Sequence, residues 1–189
     1  MRIIAGSRRG AILTNVDASK TRPTTDRIRE SIFNILHANH FGSQLTDIHV
    51  IDVFAGTGAF GLEALSRGAA FASFVENDDA ALAVLQANIS KLRFQSSTAV
   101  IALDALSLSR WRGNPAHLVL ADAPYRSGDG IIAITSLIRI GALANSAVIV
   151  VETDKIETFD IEMISASRLR IIEARSYGKT TMHFLTYQA

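Results

Sequence analysis

The stretch that decides the fold is Val50-Ile51-Asp52-Val53-Phe54-Ala55-Gly56-Thr57-Gly58-Ala59-Phe60-Gly61. It opens with a short apolar run typical of a buried strand and closes on residues that begin a helical pattern. In the turn between them, Gly56 and Gly58 permit backbone conformations closed to other residues and let a ligand approach the main chain, while Gly61 permits close helix packing. The stretch therefore predicts a strand, a ligand-holding turn and a helix.

The rest of the chain repeats this alternation of apolar runs and helical patterns. The runs lack a polar-apolar alternation, which is typical of parallel strands covered on both faces. They are His49 to Phe54, Phe71 to Glu76, Thr98 to Ala102, Leu118 to Ala121 and Ala147 to Glu152. Helices are predicted near residues 60–67, 79–92, 106–111 and 130–140. This order predicts a doubly wound α/β fold with a mostly parallel sheet.

The end of the chain departs from this pattern. Residues 167–175 and 180–187 read as two strands around a turn at Tyr177-Gly178-Lys179. Two strands joined by so short a turn predict a terminal antiparallel pair.

The beginning of the chain also stands apart. Residues 2–15 carry turn-forming glycines and predict a short hairpin outside the main sheet. A helix follows, with Thr24 and Thr25 as N-cap candidates and apolar residues at helical spacing up to about His40. We expect residues 1–43 to form a small extension packed on a core domain of residues 44–189.

Composition excludes several classes of protein. The chain has 189 residues, of which 48% are hydrophobic and none is cysteine. One compact domain is expected, and disulfides, thiolate zinc sites and cysteine nucleophiles are excluded. The start lacks the apolar run of a secretory signal, and no segment reaches the length of a membrane span. A cytoplasmic protein without a membrane partner is expected, and we expect a monomer.

The net charge of +1 conceals an uneven distribution. Residues 1–30 hold seven basic residues against three acidic ones, a surplus of four positive charges. The basic residues are Arg2, Arg8, Arg9, Lys20, Arg22, Arg27 and Arg29. This surplus fits either a solvated arm or a surface that docks a polyanion.

The glycine turn alone leaves two cofactors open. Its spacing matches the dinucleotide fingerprint, and Glu76 lies 20 residues after Gly56, where a ribose-binding acid belongs. NAD is therefore one candidate, and an oxidoreductase one reading. S-adenosylmethionine is favoured by Asp52, a carboxylate before the turn that suits a cationic sulfonium and amino group. Asp104 after the third strand adds an acceptor for an adenine amine, although it could equally cap the following helix.

A third motif, Asp122-Ala123-Pro124-Tyr125, follows the predicted fourth strand. It resembles the Asn/Asp-Pro-Pro-Tyr/Phe motif of methyltransferases that act on amino groups. The lone pair of a base amine is conjugated with its ring, and acceptors on both N–H bonds help turn that lone pair toward a methyl group. Asp122 and the Ala123 carbonyl supply two acceptors, and Tyr125 can stack on a base drawn out of its surroundings.

Two weaker patterns carry no site. His37 and His40 lie three residues apart on a helix without a third ligand nearby, so no metal site is expected. The string Tyr177-Gly178-Lys179-Thr180 has Glu173 where a phosphate-binding loop needs its first glycine.

Taken together, the chain resembles the bacterial 16S ribosomal RNA guanine-N2 methyltransferases, the family that modifies guanine 966 of the small-subunit RNA. The likeness runs through nearly the whole chain. It rests on Arg2 to Gly6, Thr21 to Leu36, Asp52 to Gly58, Gly61 to Ala69, Asp122 to Tyr125 and Arg175 to Thr180. The chain departs from the family at Ala123, where the first proline of the pair is expected. That change keeps the acceptor carbonyl and loses the stiffness of the proline ring.

The resemblance implies a Rossmann-like class I methyltransferase fold with seven strands, the last antiparallel, and an N-terminal extension that helps to hold RNA. It implies S-adenosylmethionine as cofactor and 16S rRNA in the small ribosomal subunit as partner. The expected cofactor residues are Asp52, Phe54, Ala55, Gly56, Thr57, Gly58, Gly61, Glu76, Asn77, Asp104 and Ala105. The expected catalytic residues are Asp122, Ala123, Pro124 and Tyr125. The expected RNA-binding residues are Arg8, Arg9, Lys20, Arg22, Arg27 and Arg29. A non-catalytic RNA-binding assembly factor, suggested by Ala123, is the alternative.

Overall fold

The structure, a computed structural model, describes residues 1–15, 25–42, 45–123, 128–155, 166 and 168–189. Within these ranges the helices are α1 (Asp26–Leu36), α2 (Ala59–Ser66), α3 (Asp79–Leu92) and α4 (Asp129–Arg139). The strands are β1 (His49–Val53), β2 (Phe71–Glu76), β3 (Thr98–Ala102), β4 (Ala116–Asp122), β5 (Leu143–Asp154), β6 (Leu169–Tyr177) and β7 (Thr180–Tyr187).

These strands form one sheet in the order β3-β2-β1-β4-β5-β7-β6. Strands β1 to β5 are parallel to their neighbours, whereas β7 runs antiparallel to both β5 and β6. The predicted mostly parallel sheet with a terminal antiparallel pair is confirmed. The strand order reverses between β1 and β4, and such a switch point opens a crevice at the carboxyl ends of the strands.

Two apolar layers cover the sheet. One layer joins Phe74 and Leu120 of the strands to side chains of α1, α2 and α3, including Phe33 and Leu62. The other joins the alternate strand residues to α4, for example Val119 to Ile134. Because both faces are covered, the parallel strands carry apolar residues at successive positions.

The N-terminal extension is less regular than predicted. In place of a hairpin with two strands, a single antiparallel bridge joins Arg2 to Ile12, with a 3₁₀ turn at Gly6–Arg8 between them. Ile3 and Leu13 are buried in the same apolar layer as α1 and α2. Ile3 and Leu13 therefore pack on the core, while the division into an extension of residues 1–43 and a domain of residues 44–189 stays a prediction.

Two further expectations differ from the structure. The helix predicted over residues 106–111 is a 3₁₀ turn of three residues, Ala105–Ser107. Gly113 and Pro115, which favour irregular backbone, follow within the short connection to β4. The predicted N-terminal helix ends as an α-helix at Leu36 and continues as a wider helical turn over His37–Phe41. Among the described residues, no helix is long and apolar enough to cross a membrane.

Candidate functional site

A row of side chains crosses the carboxyl edge of the sheet at the switch point. Val53 of β1 pairs with Val75 on one side and with Ala121 on the other, so the next residues, Glu76 and Asp122, lie level with each other on either side of β1. Two strand spacings separate them, about 10 Å. Asp122 in turn pairs with Glu152 of β5. Three carboxylate residues therefore share one level around the crevice.

The glycine turn occupies the centre of this edge. Gly56 and Gly58 have positive φ angles of 54° and 79°, and the amide of Gly58 donates to the Ala55 carbonyl at 2.8 Å as α2 begins. A Cβ built at Gly56 would meet no atom within 4 Å, whereas one at Gly58 would lie 2.4 Å from Leu85 Cδ1. The turn is thus packed on its inner side at Gly58 and open on its outer side at Gly56, as a ligand shelf requires.

Glu76 fixes the shape of this shelf. Its Oε2 accepts from the Gly56 amide at 2.7 Å, and its Oε1 accepts from the Asn77 and Asp78 amides at 2.8 and 2.9 Å. A carboxylate has about four acceptor positions, so three are filled and one is left; the contact with a ribose hydroxyl stays a prediction. Glu76 therefore joins the turns after β1 and β2 and keeps capacity for a ligand.

Asp52 lies beneath the turn, with only 2% of its surface exposed. Its Oδ2 accepts from the Gly61 amide at 2.8 Å. Burial raises the pKa of this carboxyl to about 8, the Gly61 hydrogen bond opposes the rise, and the charge of Glu76 adds to it. In this geometry Asp52 holds the start of α2, and direct contact with the methionine end of a donor stays a prediction.

The adenine end of the expected site lies after β3. Asp104 Oδ1 accepts from the Leu106 amide at 3.0 Å, so the residue caps the short turn that follows it. Ala105 is buried in the second apolar layer. The capping function weighed for Asp104 from the sequence is observed, and its contact with an adenine amine stays a prediction.

Of the motif Asp122-Ala123-Pro124-Tyr125, the structure describes Asp122 and Ala123. Asp122 ends β4 and is partly buried, and Ala123 is buried directly after it. Pro124 and Tyr125 lie outside the described residues. The structure thus brings the Asp122 carboxylate and the Ala123 backbone to the same edge as the glycine turn.

Sequence reasoning missed Asn88, whose fully buried amide supports the turn from below. Its Nδ2 donates to the carbonyls of Thr14 and Thr57, each at 3.0 Å, and its Oδ1 accepts from the Thr14 amide at 2.8 Å. It therefore joins the N-terminal extension to the glycine turn. Asn88 lies on the core-facing side of α3 between Leu85 and Leu92, and a polar residue at such a position was the signal that could have found it.

Glu63 of α2 was missed as well and attaches the extension to the core. It is fully buried, and its two oxygens accept from the Ile4 and Ala5 amides at 2.7 and 3.0 Å. The same carboxylate receives Arg67 Nε at 2.7 Å. The signal that could have found it is a charged residue inside an otherwise apolar helical segment.

The expectation that Arg29 contacts RNA is wrong in this structure. Arg29 is only 1% exposed, and its guanidinium donates to the Arg2 carbonyl and to Asp26 and lies 3.9 Å from Glu63. Burial of a charge requires such partners. The guanidinium therefore holds the extension together and does not reach solvent.

The other expected RNA-binding residues divide into three groups. Arg9 and Arg27 are exposed. Arg8 is partly buried, donates from Nε to the Leu92 carbonyl at 2.8 Å and lies over the Phe94 ring. Lys20 and Arg22 lie outside the described residues. Phosphate binding by Arg9 and Arg27 thus stays a prediction that their exposure permits.

The two histidines of the N-terminal region are partly buried, which lowers the pKa of His37 and of His40 and favours their neutral forms. Over the described part of the chain, no group of three or more potential ligands could hold a metal ion.

The sheet with its antiparallel β7, the open glycine turn after β1 and the acids ending β2 and β4 define the Rossmann-like fold of the class I methyltransferases. Within this class, the family model described as Conserved hypothetical protein 95 matches residues 1–186. The chain belongs to that family.

Named relatives agree with the family resemblance seen in the sequence. Ribosomal RNA small subunit methyltransferase D of Escherichia coli K12 is 40% identical over 154 residues, covering 82% of this chain and 75% of the relative. The protein of the same name from Haemophilus influenzae is 33% identical over 181 residues, covering 94% of this chain and 89% of the relative. The solved structure of yhhF from Escherichia coli is 33% identical with a TM-score of 0.82, over 100% of this chain and 98% of that one.

Proposed function

We propose that this protein transfers a methyl group from S-adenosylmethionine to the exocyclic N2 amine of a guanine in 16S rRNA, and that this guanine is position 966. The observation that carries the proposal is the level placement of Glu76 and Asp122 on either side of the open glycine turn. In this proposal, one of the two acids would bind the nucleoside and the other the base, within one crevice. The names of the relatives favour ribosomal RNA as the substrate.

The cofactor half of the crevice fits the donor. The outer side of Gly56 is free for a ligand, and Glu76 keeps one acceptor position for a ribose hydroxyl. Asp104 would approach the adenine amine. Asp52, whose pKa burial raises to about 8 in the free protein, would lie beneath the methionine end, where the positive charge of the donor would favour its ionised form. When bound, S-adenosylmethionine supplies an activated methyl group on a cationic sulfur. The fixed hydrogen bonds of Glu76 orient the shelf before the donor arrives.

The acceptor half of the crevice would position the guanine amine. The Asp122 carboxylate and the Ala123 carbonyl would accept the two N2 hydrogens and turn the lone pair toward the methyl group. Methyl transfer leaves N2 with one proton in excess, and the Asp122 carboxylate would receive it. Holding both reactants in line converts a bimolecular step into one within a single complex, so the entropy of alignment is lost in binding.

An NAD-dependent oxidoreductase would use the same glycines, and the turn by itself does not separate the two cofactors. Family membership and the buried Asp52 beneath the turn favour the methyl donor. A thermal-shift comparison tests this choice directly. S-adenosylhomocysteine should raise the melting temperature and NAD should not; stabilisation by NAD alone would refute the proposal.

The decisive experiment is transfer of a tritiated methyl group from S-adenosylmethionine to small ribosomal subunits that lack this modification. Wild-type protein should label the 16S rRNA, and Asp122→Ala should lower the rate by about 10²–10³-fold, the scale of a lost polar contact to the reacting group. Asp79→Ala, an exposed carboxylate on α3, is the matched control and should label normally. Equal labelling by wild type and Asp122→Ala would point to a non-catalytic assembly factor.

The target position needs its own measurement. Primer extension across the labelled RNA maps the methylated guanine, because a methyl group on N2 hinders base pairing. A stop one nucleotide before guanine 966 is expected. A stop elsewhere would support methylation of a guanine and refute position 966 as the target.

A further inference from the structure

We propose that the tip of the β6–β7 hairpin, together with the start of α1, forms a second phosphate-binding surface for the RNA that enters the crevice. We call it the hairpin-tip surface and define it by Arg27, Lys155, Arg175 and Lys179. The proposal rests on the proposed function, since it names where that same site holds the RNA backbone beyond the reacting base.

The pairing of the strands carries the first step. Asp122 pairs with Glu152, Glu152 with Met182, and Met182 with Arg175. Directly paired residues project to the same face of a sheet, so Arg175 lies in the row of Asp122 on the same face. Three strand spacings put it about 14 Å from Asp122. The hairpin tip is therefore at the edge of the sheet where the base would bind.

The turn of the hairpin adds two lysines. Lys179 lies in the turn between β6 and β7, and its carbonyl accepts from the Lys155 amide at 2.8 Å. This bond holds the end of β5 against the hairpin tip. Both lysines are exposed, so their ammonium groups can meet a phosphate.

The helix α1 continues the surface. The hydroxyls of Tyr177 and Ser31 lie 2.6 Å apart and attach the hairpin to α1. Arg27 is one helical turn before Ser31, so it lies on the same side of the helix and is exposed. The basic residues of α1 and of the hairpin tip are thus neighbours across this contact.

Carboxylates in this region do not cancel the surface. Glu173 forms an exposed ion pair with Arg175, whose side chain keeps 59% of its surface exposed. An exposed pair of this kind contributes little and can exchange its partner for a phosphate, which an arginine binds with two parallel hydrogen bonds. Asp154 pairs with Thr180 one strand nearer the base site. Arg175 and Lys179 therefore lie further out along the edge than Asp154, where the backbone flanking a splayed base would run.

Charged residues on an edge strand have a second use, because they discourage pairing with another molecule. Arg170 would serve that protective purpose equally well, because it is exposed and lies on the same face of β6 as Arg175, at the other end of the strand. A bulge between Ile171 and Glu173 leaves four ladder steps between the two arginines, so Arg170 is about 14 Å from Arg175 along the strand. The two arginines differ mainly in their distance from the crevice, which makes them a matched pair.

The experiment compares Arg175→Gln/Lys179→Gln with Arg168→Gln/Arg170→Gln, two double variants that each remove two exposed positive charges from the same hairpin. Binding to unmodified small ribosomal subunits is measured over a range of salt concentrations, and binding of S-adenosylhomocysteine is measured by calorimetry. The tip variant should bind subunits more weakly at low salt, with a salt slope shallower by about one for each lost phosphate contact. Its binding of S-adenosylhomocysteine should match wild type.

The control variant should match wild type in both measurements. Equal loss of subunit binding by the two double variants, or no loss by either, would overturn the inference. Failure of the proposed function would look different, because wild-type protein would then bind subunits without transferring a methyl group.

Discussion

The N-terminal extension and the C-terminal hairpin are both basic in sequence, and the structure uses their charges in opposite ways. In the extension, the Arg29 guanidinium points inward to Asp26 and Glu63 and is 1% exposed. In the hairpin, Arg175 and Lys179 remain at the surface. The contrast teaches that a surplus of basic residues in a segment does not by itself define a basic surface, because folding decides which charges are neutralised internally.

The physical reason lies in what each region has for partners. Over residues 1–15 the extension buries two apolar side chains, Ile3 and Leu13, and two buried polar groups of the core, Glu63 and Asn88, attach it further through hydrogen bonds. The hairpin is held together by its own β6–β7 ladder, and it is attached to the core by the β5–β7 ladder and by the contact of Tyr177 with Ser31. Four predictions test this difference, in order of decreasing effect, and the pH dependence of the buried Asp52 is a separate fifth prediction.

Replacement of Gly6 by alanine should have the largest effect. Gly6 has φ of 81°, and a Cβ there would lie 1.7 Å from the Ser66 carbonyl oxygen. Left-handed strain and overpacking together should cost about 4 kcal/mol in the free energy of unfolding, measured with urea. Gly10 also has a positive φ angle, but a Cβ there would meet no atom within 4 Å. Gly10→Ala should therefore cost only about 1–2 kcal/mol. Equal losses would mean that the extension does not pack on α2.

Arg29→Ala should be the next most damaging change. It removes a buried cation from the Asp26 and Glu63 carboxylates and should cost about 3 kcal/mol. Arg27→Ala, two residues away and exposed, should change stability by less than about 0.5 kcal/mol. Among variants that remain folded, Arg27→Ala should weaken RNA binding more than Arg29→Ala does. A stable Arg29→Ala variant with weak RNA binding would contradict the inward orientation.

Asn88→Ala should weaken the attachment of the N-terminal extension and the support of the glycine turn. It leaves the Thr14 amide and the carbonyls of Thr14 and Thr57 without this partner, at a cost of about 2 kcal/mol. Binding of S-adenosylhomocysteine should weaken with it, because Thr57 belongs to the glycine turn. Gln86→Ala on the exposed side of α3 is the control and should leave both unchanged. If a destabilised Asn88→Ala variant bound S-adenosylhomocysteine normally, the contact of Asn88 with the glycine turn would not support ligand binding.

The buried Asp52 should make stability depend on pH. Its pKa is raised to about 8, so between its ordinary value near 3.8 and pH 8 the folded protein retains a proton that the unfolded chain has released. Stability should therefore fall as pH rises through this window, by up to about 1.4 kcal/mol per pH unit. Asp52→Asn should flatten this part of a melting-temperature profile between pH 5 and 8. Parallel profiles for the two proteins would show that Asp52 is ionised throughout.

The smallest effect is expected at the hairpin. Tyr177→Phe removes the contact with Ser31 and should cost about 1 kcal/mol or less, since the two strand ladders persist. Hydrogen exchange should be faster at the hairpin tip than in β7. Tyr187→Phe, at the opposite end of the hairpin, should leave exchange at the tip as in wild type. A loss as large as that of Arg29→Ala would abolish the contrast between the two regions.

The sequence predicted those parts of the fold that depend on local patterns. The predicted bounds of α3, β2 and β3 match the structure to the residue, because α3 is one uninterrupted helical pattern and β2 and β3 are short apolar runs bounded by turn signals. The sequence predicts a helix over residues 106–111 where the structure has a 3₁₀ turn at Ala105–Ser107, because the apolar residues after the turn also fit helical spacing. β5 is longer than predicted, since Leu143–Asp154 includes polar residues before its apolar run.

For the candidate site, the sequence determined the glycine turn, the acids after β2 and β4 and their order along the chain. It determined these because each residue acts through its own backbone or through its position at a strand end. Only the tertiary structure decided that Glu76 fills three acceptor positions, that Asp52 is buried beneath the turn, and that Asn88 joins two segments 74 and 31 residues away in the chain. Likewise it turned Arg29 inward and left Arg175 exposed. Burial and hydrogen-bond partners depend on residues distant in sequence, and no local pattern contains that information.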